Sequence, residues 1–209
     1  MRVFKMIYRN LFGFSVGLVS VMCALSFAAA APNEQTAVFA GGCFWGVDAV
    51  FKHVKGVREV VSGYAGGQSA TAHYDQVSKG DTGHAESVRI RFDPNQVSYR
   101  QLLKVFFIIA HDPTQMNRQG PDVGSQYRSV IFYNSEEQRA AALDYIRQLS
   151  AAHTFPSPIV TRLVPLQQFY PAEGYHQNYL ELHPAQPYII MNDLPKLKQL
   201  REKFPDLYR

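Results

Sequence analysis

The chain has 209 residues, of which 46% are hydrophobic, 13% aromatic and 18% charged. This composition supports a full-sized core and excludes a disordered chain, which would be poor in apolar residues and rich in charge. The formal net charge is +4, and Arg2, Lys5 and Arg9 supply three of those charges. The remainder carries no basic stripe of the kind that binds nucleic acid. The length predicts one domain.

The first thirty residues have the pattern of a secretory signal peptide. Basic residues up to Arg9 precede an uncharged apolar run to Phe27, and a run of alanines follows. This order is typical of a segment that is removed on export. We therefore predict a signal peptide over residues 1–30, a single catalytic domain over residues 31–209, and export to the bacterial periplasm without membrane attachment. Because the apolar run is nearly long enough to span a bilayer, an uncleaved membrane anchor is the alternative.

The sequence contains two cysteines, Cys23 and Cys43. Removal of the predicted signal peptide removes Cys23, so the mature chain would hold one thiol and no internal disulfide. Cysteines of exported proteins usually pair. The single remaining Cys43 is therefore either a buried, inert residue or a thiol kept for its reactivity.

Cys43 is predicted to lie where a strand turns into a helix. Residues 36–40 are apolar and precede two glycines, and apolar residues then recur at helical spacing from Phe44 to Val54. The backbone N–H groups and the positive end of the helix dipole favour a thiolate at such a position. The same pattern also fits a turn in which Phe44 and Trp45 simply pack into the core.

The later elements predict an α+β fold. Strands are predicted at 57–62, 87–92, 128–133 and 159–166, and helices at 98–110 and 135–149. Both helices begin with a serine that is followed three residues later by glutamine, as in a capping box. The order strand–helix–strand–strand–helix–strand predicts a two-layer sandwich with a ferredoxin-like, split βαβ core. From Gln167 onward, frequent Tyr, Pro and His predict a long irregular C-terminal segment.

Glu86 has the same parity as Val88, Ile90 and Phe92 on the predicted third strand, so its side chain points toward the apolar face. A buried carboxylate raises its pKa and takes up a proton. A protonated carboxylic acid in an apolar site can act as a general acid near neutral pH. The alternative is that Glu86 lies at the frayed start of the strand and reaches solvent.

Several motifs resemble those of the A-type peptide methionine sulfoxide reductases, and together they span roughly residues 36–182. They are, in chain order, Gly42-Cys43-Phe44-Trp45-Gly46, Gly83-His84-Ala85-Glu86, Asp112-Pro113-Thr114-Gln115, Asn117-Arg118-Gln119-Gly120, Asp122-Val123-Gly124-Ser125-Gln126-Tyr127-Arg128-Ser129 and Phe169-Tyr170-Pro171-Ala172-Glu173-Gly174-Tyr175-His176-Gln177. The cysteine motif alone is only suggestive, whereas the ordered set makes a chance match very rare.

The resemblance implies a catalytic role for five residues. Cys43 would be the nucleophile and Glu86 the general acid, while Tyr74 and Tyr127 would donate hydroxyl hydrogen bonds to the sulfoxide oxygen. Asp122 would help to organise this polar end of the site. The expected reaction is the reduction of methionine S-sulfoxide to methionine, which leaves Cys43 as a sulfenic acid.

The resemblance also implies a substrate pocket, a reductant and substrates. Phe44 and Trp45 would bind the methyl group of the substrate, and Tyr179 would border that pocket. Many relatives carry resolving cysteines near the C-terminus, but residues 181–192 contain none. We therefore expect an external thiol reductant, either thioredoxin-like or small, with no metal or other cofactor. The expected substrates are oxidised proteins, and the resemblance does not decide whether free methionine sulfoxide is also reduced. We expect the protein to be a monomer.

Two other functions remain open at this point. A cysteine hydrolase would need a histidine base, for which His84 is the best candidate, but it needs no buried acid flanked by tyrosines. A non-catalytic binding module would use the aromatic residues as a ligand cleft, with Cys43 incidental. A metal site is less favoured, because the sequence contains no His-Glu-x-x-His motif or closely spaced cysteine pair.

Overall fold

The computed structural model describes Met1 and residues 34–209. Residues 2–30 of the predicted signal peptide, which include Cys23, lie outside the described residues. From residue 34 onward, the chain belongs to one compact unit, Pro32–Arg209. Within the described part, no helix has both the length and the apolar character that crossing a bilayer requires.

The described residues form eight strands and six α-helices. The strands are β1 Gln35–Ala40, β2 Val57–Ala65, β3 Ala85–Phe92, β4 Arg118–Gln119, β5 Asp122–Val123, β6 Val130–Tyr133, β7 Arg162–Pro165 and β8 Phe169–Pro171. The α-helices are α1 Phe44–Lys52, α2 Tyr74–Val77, α3 Tyr99–Val105, α4 Glu136–Ala151, α5 Tyr179–Leu182 and α6 Leu194–Lys203. Short π-helical segments, Phe106–Ala110 and Ile189–Asp193, extend α3 and precede α6.

The main sheet has the strand order β7-β6-β1-β3-β2-β8. Its four central strands, β6-β1-β3-β2, are antiparallel to their neighbours, which is the arrangement of a split βαβ, ferredoxin-like core. β8 extends one edge antiparallel to β2, and β7 extends the other edge parallel to β6. The prediction of an α+β fold with this core is confirmed.

The alternating pattern of the strands separates two apolar clusters. Phe39, Val88 and Ile90 lie in the large cluster that also contains the buried faces of α1 and α3. Their strand neighbours, such as Val38 and Ala40, lie in a smaller cluster, because successive side chains of a strand point to opposite faces. Glu86 therefore belongs to the face on which α1 packs.

The local helix signals in the sequence have the expected geometry. Ser98 and Gln101 form the complete capping box at the start of α3, and the Ser135 hydroxyl accepts the Gln138 N–H at the start of α4. The C-terminal part is more regular than the sequence suggested. It is mostly irregular as far as residue 186, apart from β8, the 3-10 turn Gly174–His176 and α5, but residues 187–203 are helical.

Candidate active site

Cys43 lies at the N-cap position of α1, immediately after the turn that leaves β1, as the sequence predicted. Gly42 makes the turn possible, since its φ of +93° is one that other residues rarely adopt. A Cβ atom at Gly42 would lie 2.5 Å from Cγ of Gln119, so the β4–β5 hairpin approaches the backbone beside the thiol. Cys43 as a whole residue is only partly buried.

Glu86 is 2% exposed, so the expected inward orientation of its side chain is confirmed. Its carboxylate accepts a hydrogen bond from the backbone N–H of Phe44 at 3.1 Å, one residue after Cys43. Burial raises the pKa of Glu86 to about 8, and the charge of Asp122 adds to this effect, although the hydrogen bond from Phe44 opposes it. The acid therefore keeps its proton at neutral pH.

The Cys43 thiol has a pKa that is raised well above the ordinary value. Burial is the largest cause, and the carboxylates of Glu86, Asp193 and Asp122 add to it. The backbone N–H of Trp45 acts in the opposite direction, which is the helix N-terminal effect that the sequence suggested. Because burial and three acids outweigh it, the expectation of a thiolate does not hold here, and Cys43 rests as a thiol.

Tyr74 and Tyr127 approach this centre from different segments. Tyr74 begins α2, and its backbone N–H donates to Glu173 at 2.9 Å, whereas Tyr127 ends the short 3-10 turn Ser125–Tyr127. Burial raises the pKa of both phenols, and the neighbouring Glu86 and Cys43 raise it further. Both hydroxyl groups thus remain protonated and can donate hydrogen bonds close to the thiol.

Asp122 lies on β5, where the β4–β5 hairpin meets the C-terminal part of the chain. Its carboxylate accepts a hydrogen bond from the hydroxyl of Tyr188. Its charge raises the pKa of both Glu86 and Cys43. The structure therefore brings Asp122 to the same polar centre as the other four predicted catalytic residues.

Aromatic rings form the second half of the site. The rings of Trp45 and Tyr179 stack in parallel, with centroids 3.6 Å apart and planes 3° apart, and Tyr188 meets Trp45 edge-on at 5.9 Å. Phe44 is almost fully buried and packs 4.9 Å from the ring of His176. Trp45 therefore stacks on Tyr179, and His176 links Phe44 and Trp45, since its ring also packs near that of Trp45.

A search for related proteins identifies the family. Residues 35–208 match the family model for peptide methionine sulfoxide reductase. The chain belongs to this family. It is 56% identical over 179 residues to peptide methionine sulfoxide reductase MsrA 2 of Mesorhizobium japonicum, covering 86% of this chain and 92% of that one. It is also 49% identical over 176 residues to MsrA of Thermus thermophilus, covering 84% and 98%.

Solved structures agree with the assignment. The crystal structure of reduced Mxr1 from Saccharomyces cerevisiae matches with a TM-score of 0.66 at 32% identity, over 73% of this chain and 87% of that one. Methionine sulfoxide reductase A of Corynebacterium diphtheriae matches with a TM-score of 0.64 at 34% identity, over 75% and 78%. The chain is therefore an oxidoreductase that reduces methionine sulfoxide, as the sequence motifs predicted.

The surroundings of His84 argue independently against the hydrolase alternative. The Nδ1 atom accepts the Gly67 N–H at 3.2 Å, and Nε2 lies 3.0 Å from the carbonyl oxygen of Gln68. Since both ring nitrogens are occupied by the backbone, the ring has no free lone pair with which to activate a thiol. In this reductase His84 instead holds the glycine-rich loop that follows β2.

Three residues of the site were missed by the sequence analysis. His176 accepts the indole N–H of Trp45 on Nδ1 at 3.1 Å, Tyr188 binds Asp122, and Asp193 raises the pKa of Cys43. The family-like motif ending at Gln177 contains His176, so that residue could have been identified. Tyr188 and Asp193 follow this motif and carried no comparable signal.

Proposed function

We propose that the reductase acts by attack of Cys43 on the sulfoxide sulfur, with Glu86 as the general acid. The observation that carries this proposal is the hydrogen bond from Phe44 N–H to Glu86, which ties the protonated acid to the turn that bears the nucleophile. Oxide is a poor leaving group, so the sulfoxide oxygen has to be protonated or strongly hydrogen-bonded as the sulfur is attacked. Tyr74 and Tyr127 add preorganised donors to the same oxygen.

The proposed step transfers one oxygen atom and two electrons. Glu86 gives its proton to the sulfoxide oxygen while the Cys43 sulfur bonds to the substrate sulfur, and the thiol proton passes to the Glu86 carboxylate. The hydroxyl group then passes from the substrate sulfur to the Cys43 sulfur as the sulfur–sulfur bond and the substrate's sulfur–oxygen bond break, so that methionine leaves and Cys43 is left as a sulfenic acid. Cys43 is thereby oxidised by two electrons, the substrate sulfur is reduced by two, and Glu86 ends protonated as it began.

The aromatic cluster supports a chiral substrate pocket. We assign the methyl arm of the substrate to the cluster of Phe44, Trp45 and Tyr179, and the sulfoxide oxygen to the phenol side. When the methyl group and the oxygen each occupy a fixed position, the third substituent of the sulfur, the methionine side chain, has to point out toward the peptide. Only one epimer then fits the pocket. This arrangement accounts for the selection of one epimer, and separate reductases act on the two epimers. We propose the S epimer on the basis of the family resemblance. Oxidised proteins are the proposed substrates.

Regeneration in this scheme needs an external thiol. The sequence offers no cysteine after Cys43, so a first thiol condenses with the sulfenic acid and releases water, leaving a mixed disulfide. A second thiol then attacks this disulfide and frees Cys43. The partial exposure of Cys43 suits a thioredoxin-like dithiol protein or a small thiol, and neither a metal nor a prosthetic group takes part. We propose that a monomer carries out the cycle.

The N-terminal pattern supports export, and we propose the bacterial periplasm as the site of action. Expression of the full chain in a bacterium, followed by fractionation and mass measurement, tests this directly. A periplasmic product that begins near residue 31 is expected. A full-length product in the membrane fraction would instead establish the uncleaved anchor.

The reaction is tested with each epimer of a methionine sulfoxide peptide and dithiothreitol, by quantifying the methionine formed. Turnover of the S epimer alone is expected. Cys43→Ser should abolish it while circular dichroism stays unchanged, and Cys23→Ser serves as the matched control with full activity. Residual turnover above a few per cent in Cys43→Ser would disprove the proposed nucleophile.

A further inference from the structure

Glu173 connects the segment after β8 to two other parts of the site. One carboxylate oxygen accepts a hydrogen bond from the hydroxyl of Tyr64 at 2.8 Å, and the other accepts one from the backbone N–H of Tyr74 at 2.9 Å. Tyr64 lies on β2, whereas Tyr74 begins α2. A carboxylate that bridges two elements in this way fixes the distance between them.

The position of Tyr74 depends on this contact. α2 has a single turn, and its N-cap residue, His73, makes no side-chain cap hydrogen bond. The first N–H groups of a helix have no partner within it, and so short a helix is not stable on its own. Glu173, which is 99 positions away in the chain, therefore supplies an acceptor that α2 itself lacks.

The other end of the bridge is fixed by the sheet. Tyr64 is fully buried, and in the register of β2 and β3 it lies directly opposite Glu86. Its ring also packs 5.9 Å from the ring of Phe44, the residue after Cys43. The pair of strands that carries the proposed general acid therefore also positions α2, through Tyr64 and Glu173.

The ring of Tyr74 is held by the same segment as its backbone. Its centroid lies 4.4 Å from that of His176, whose ring lies 4.9 Å from Phe44 and accepts the indole N–H of Trp45. The backbone N–H of His176 donates to the carbonyl oxygen of Glu173 at 2.9 Å. Glu173 thus fixes the backbone of Tyr74 with its side chain, and the residue that contacts the Tyr74 ring with its own backbone.

We infer that Glu173 is a positioning residue that acts through Tyr74, by keeping the Tyr74 hydroxyl where it can donate to the sulfoxide oxygen. The inference rests on the proposed function, in which Tyr74 is one of two donors to that oxygen. Without Glu173, α2 is free to shift relative to β3, and the donor is lost although Tyr74 itself is unchanged. The loss of Glu173 should therefore have the kinetic consequences of Tyr74→Phe.

The test measures the single-turnover rate of methionine formation for Glu173→Ala in three backgrounds, which are wild type, Tyr127→Phe and Tyr74→Phe. In wild type the loss should be mild, because Tyr127 still donates to the oxygen. With Tyr127→Phe the loss should be at least about tenfold larger, a coupling within the range of groups that act together. With Tyr74→Phe it should nearly vanish, since the group that Glu173 positions is already absent. Equal losses in all three backgrounds would overturn the inference.

Glu173→Gln tests whether the hydrogen bonds, rather than the charge, carry the effect. The amide oxygen can accept the Tyr74 N–H, and the amide N–H can donate to the hydroxyl oxygen of Tyr64, so the bridge is retained. The rates should stay close to those with Glu173 in every background. Rates as low as those of Glu173→Ala would refute the inference. If Glu173→Ala does not fold by circular dichroism, Tyr64→Phe removes one arm of the bridge, and the same dependence on the background is expected.

Asp93 provides a matched control. Its carboxylate likewise accepts a backbone N–H, from Asn95 at 3.0 Å, together with donors from Gln96 and Arg58. It follows the end of β3 that is opposite to Glu86. Asp93→Ala should therefore change the rate by the same factor in the three backgrounds. A dependence on the background like that expected for Glu173→Ala would show a general loss of stability and contradict the inference.

A failure of the proposed function would give a different result. If Tyr74→Phe combined with Tyr127→Phe stays active, the phenols are not the donors, and Glu173 has no donor to position. If that pair is severely impaired, whereas Glu173→Ala combined with Tyr127→Phe is not, the proposed function stands and only the role of Glu173 is refuted.

Discussion

The carboxylate of Glu86 lies 3.1 Å from the backbone nitrogen of Phe44, although the two residues are 42 positions apart in the chain. This hydrogen bond joins β3 to the first residue of α1. It therefore helps to hold the carboxyl group next to the turn that bears Cys43. Holding two reacting groups in a fixed arrangement is what preorganised catalysis requires.

Glu86→Gln should slow the chemical step by about 10²–10⁴-fold, the usual value of a general acid, while substrate affinity changes little. The amide can still donate a hydrogen bond, but it cannot deliver a proton. In the wild-type enzyme, the single-turnover rate should fall as the pH rises through about 8, where Glu86 loses its proton. The variant should lack this decline. Equal single-turnover rates in the two proteins would make Glu86 a structural residue.

The same substitution should increase stability at neutral pH. Glu86 ionises near 4.5 in the unfolded chain but near 8 in the folded one, so the unfolded state binds fewer protons between these values. Stability therefore decreases as the pH rises through this window, by up to about 1.4 kcal/mol per unit, and Gln removes that decrease. Urea unfolding at pH 4.5 and pH 7 should show a gain for Glu86→Gln only at the higher pH. A gain of equal size at both would contradict the ionisation argument.

Tyr74→Phe and Tyr127→Phe should each reduce kcat mildly, and the double variant severely. Two donors to one oxygen partly replace each other, so their effects should not add. Steady-state kinetics of the four proteins measure the coupling, with Tyr133→Phe on β6 as a control tyrosine outside the site. Strictly additive losses would mean that the two hydroxyl groups do not share the sulfoxide oxygen.

Without reductant, each chain should release one methionine and stop. Cys43 should then carry the mass of one additional oxygen atom, because no later cysteine is present to condense with the sulfenic acid. Mass spectrometry of the intact protein after a single turnover, with and without dithiothreitol, measures this. A loss of two hydrogens, assigned to a Cys23–Cys43 disulfide, would contradict both the cleaved signal peptide and the recycling scheme.

The parts of the site that depend on local pattern could be predicted from the sequence. The alternation of Val88, Ile90 and Phe92 determined the face of β3 to which Glu86 belongs, since strand side chains have a period of two. The paired glycines before Cys43 similarly predicted the turn into α1. These features depend on a few neighbouring residues, and the structure places them as expected.

The remaining features depend on contacts between distant segments. Tyr188 meets Asp122 across 66 positions, and no periodicity links the two. Asp193 lies two residues before Pro195, so the local sequence predicts that it caps a helix. Its side chain makes no capping hydrogen bond. The protonation of Cys43 was missed for the same reason, because the helix dipole is a local property whereas Glu86, Asp122 and Asp193 come from three other segments.

Cys43 is the only cysteine in the sequence after residue 23, so its oxidation state can be measured by counting thiols. If the signal peptide is removed, the number of titratable thiols per molecule equals the fraction of enzyme that is ready for a substrate. A maleimide dye would then label the molecules in which Cys43 is reduced and would not label those in which it is oxidised. The labelled fraction would report how much thiol reductant the surrounding compartment supplies.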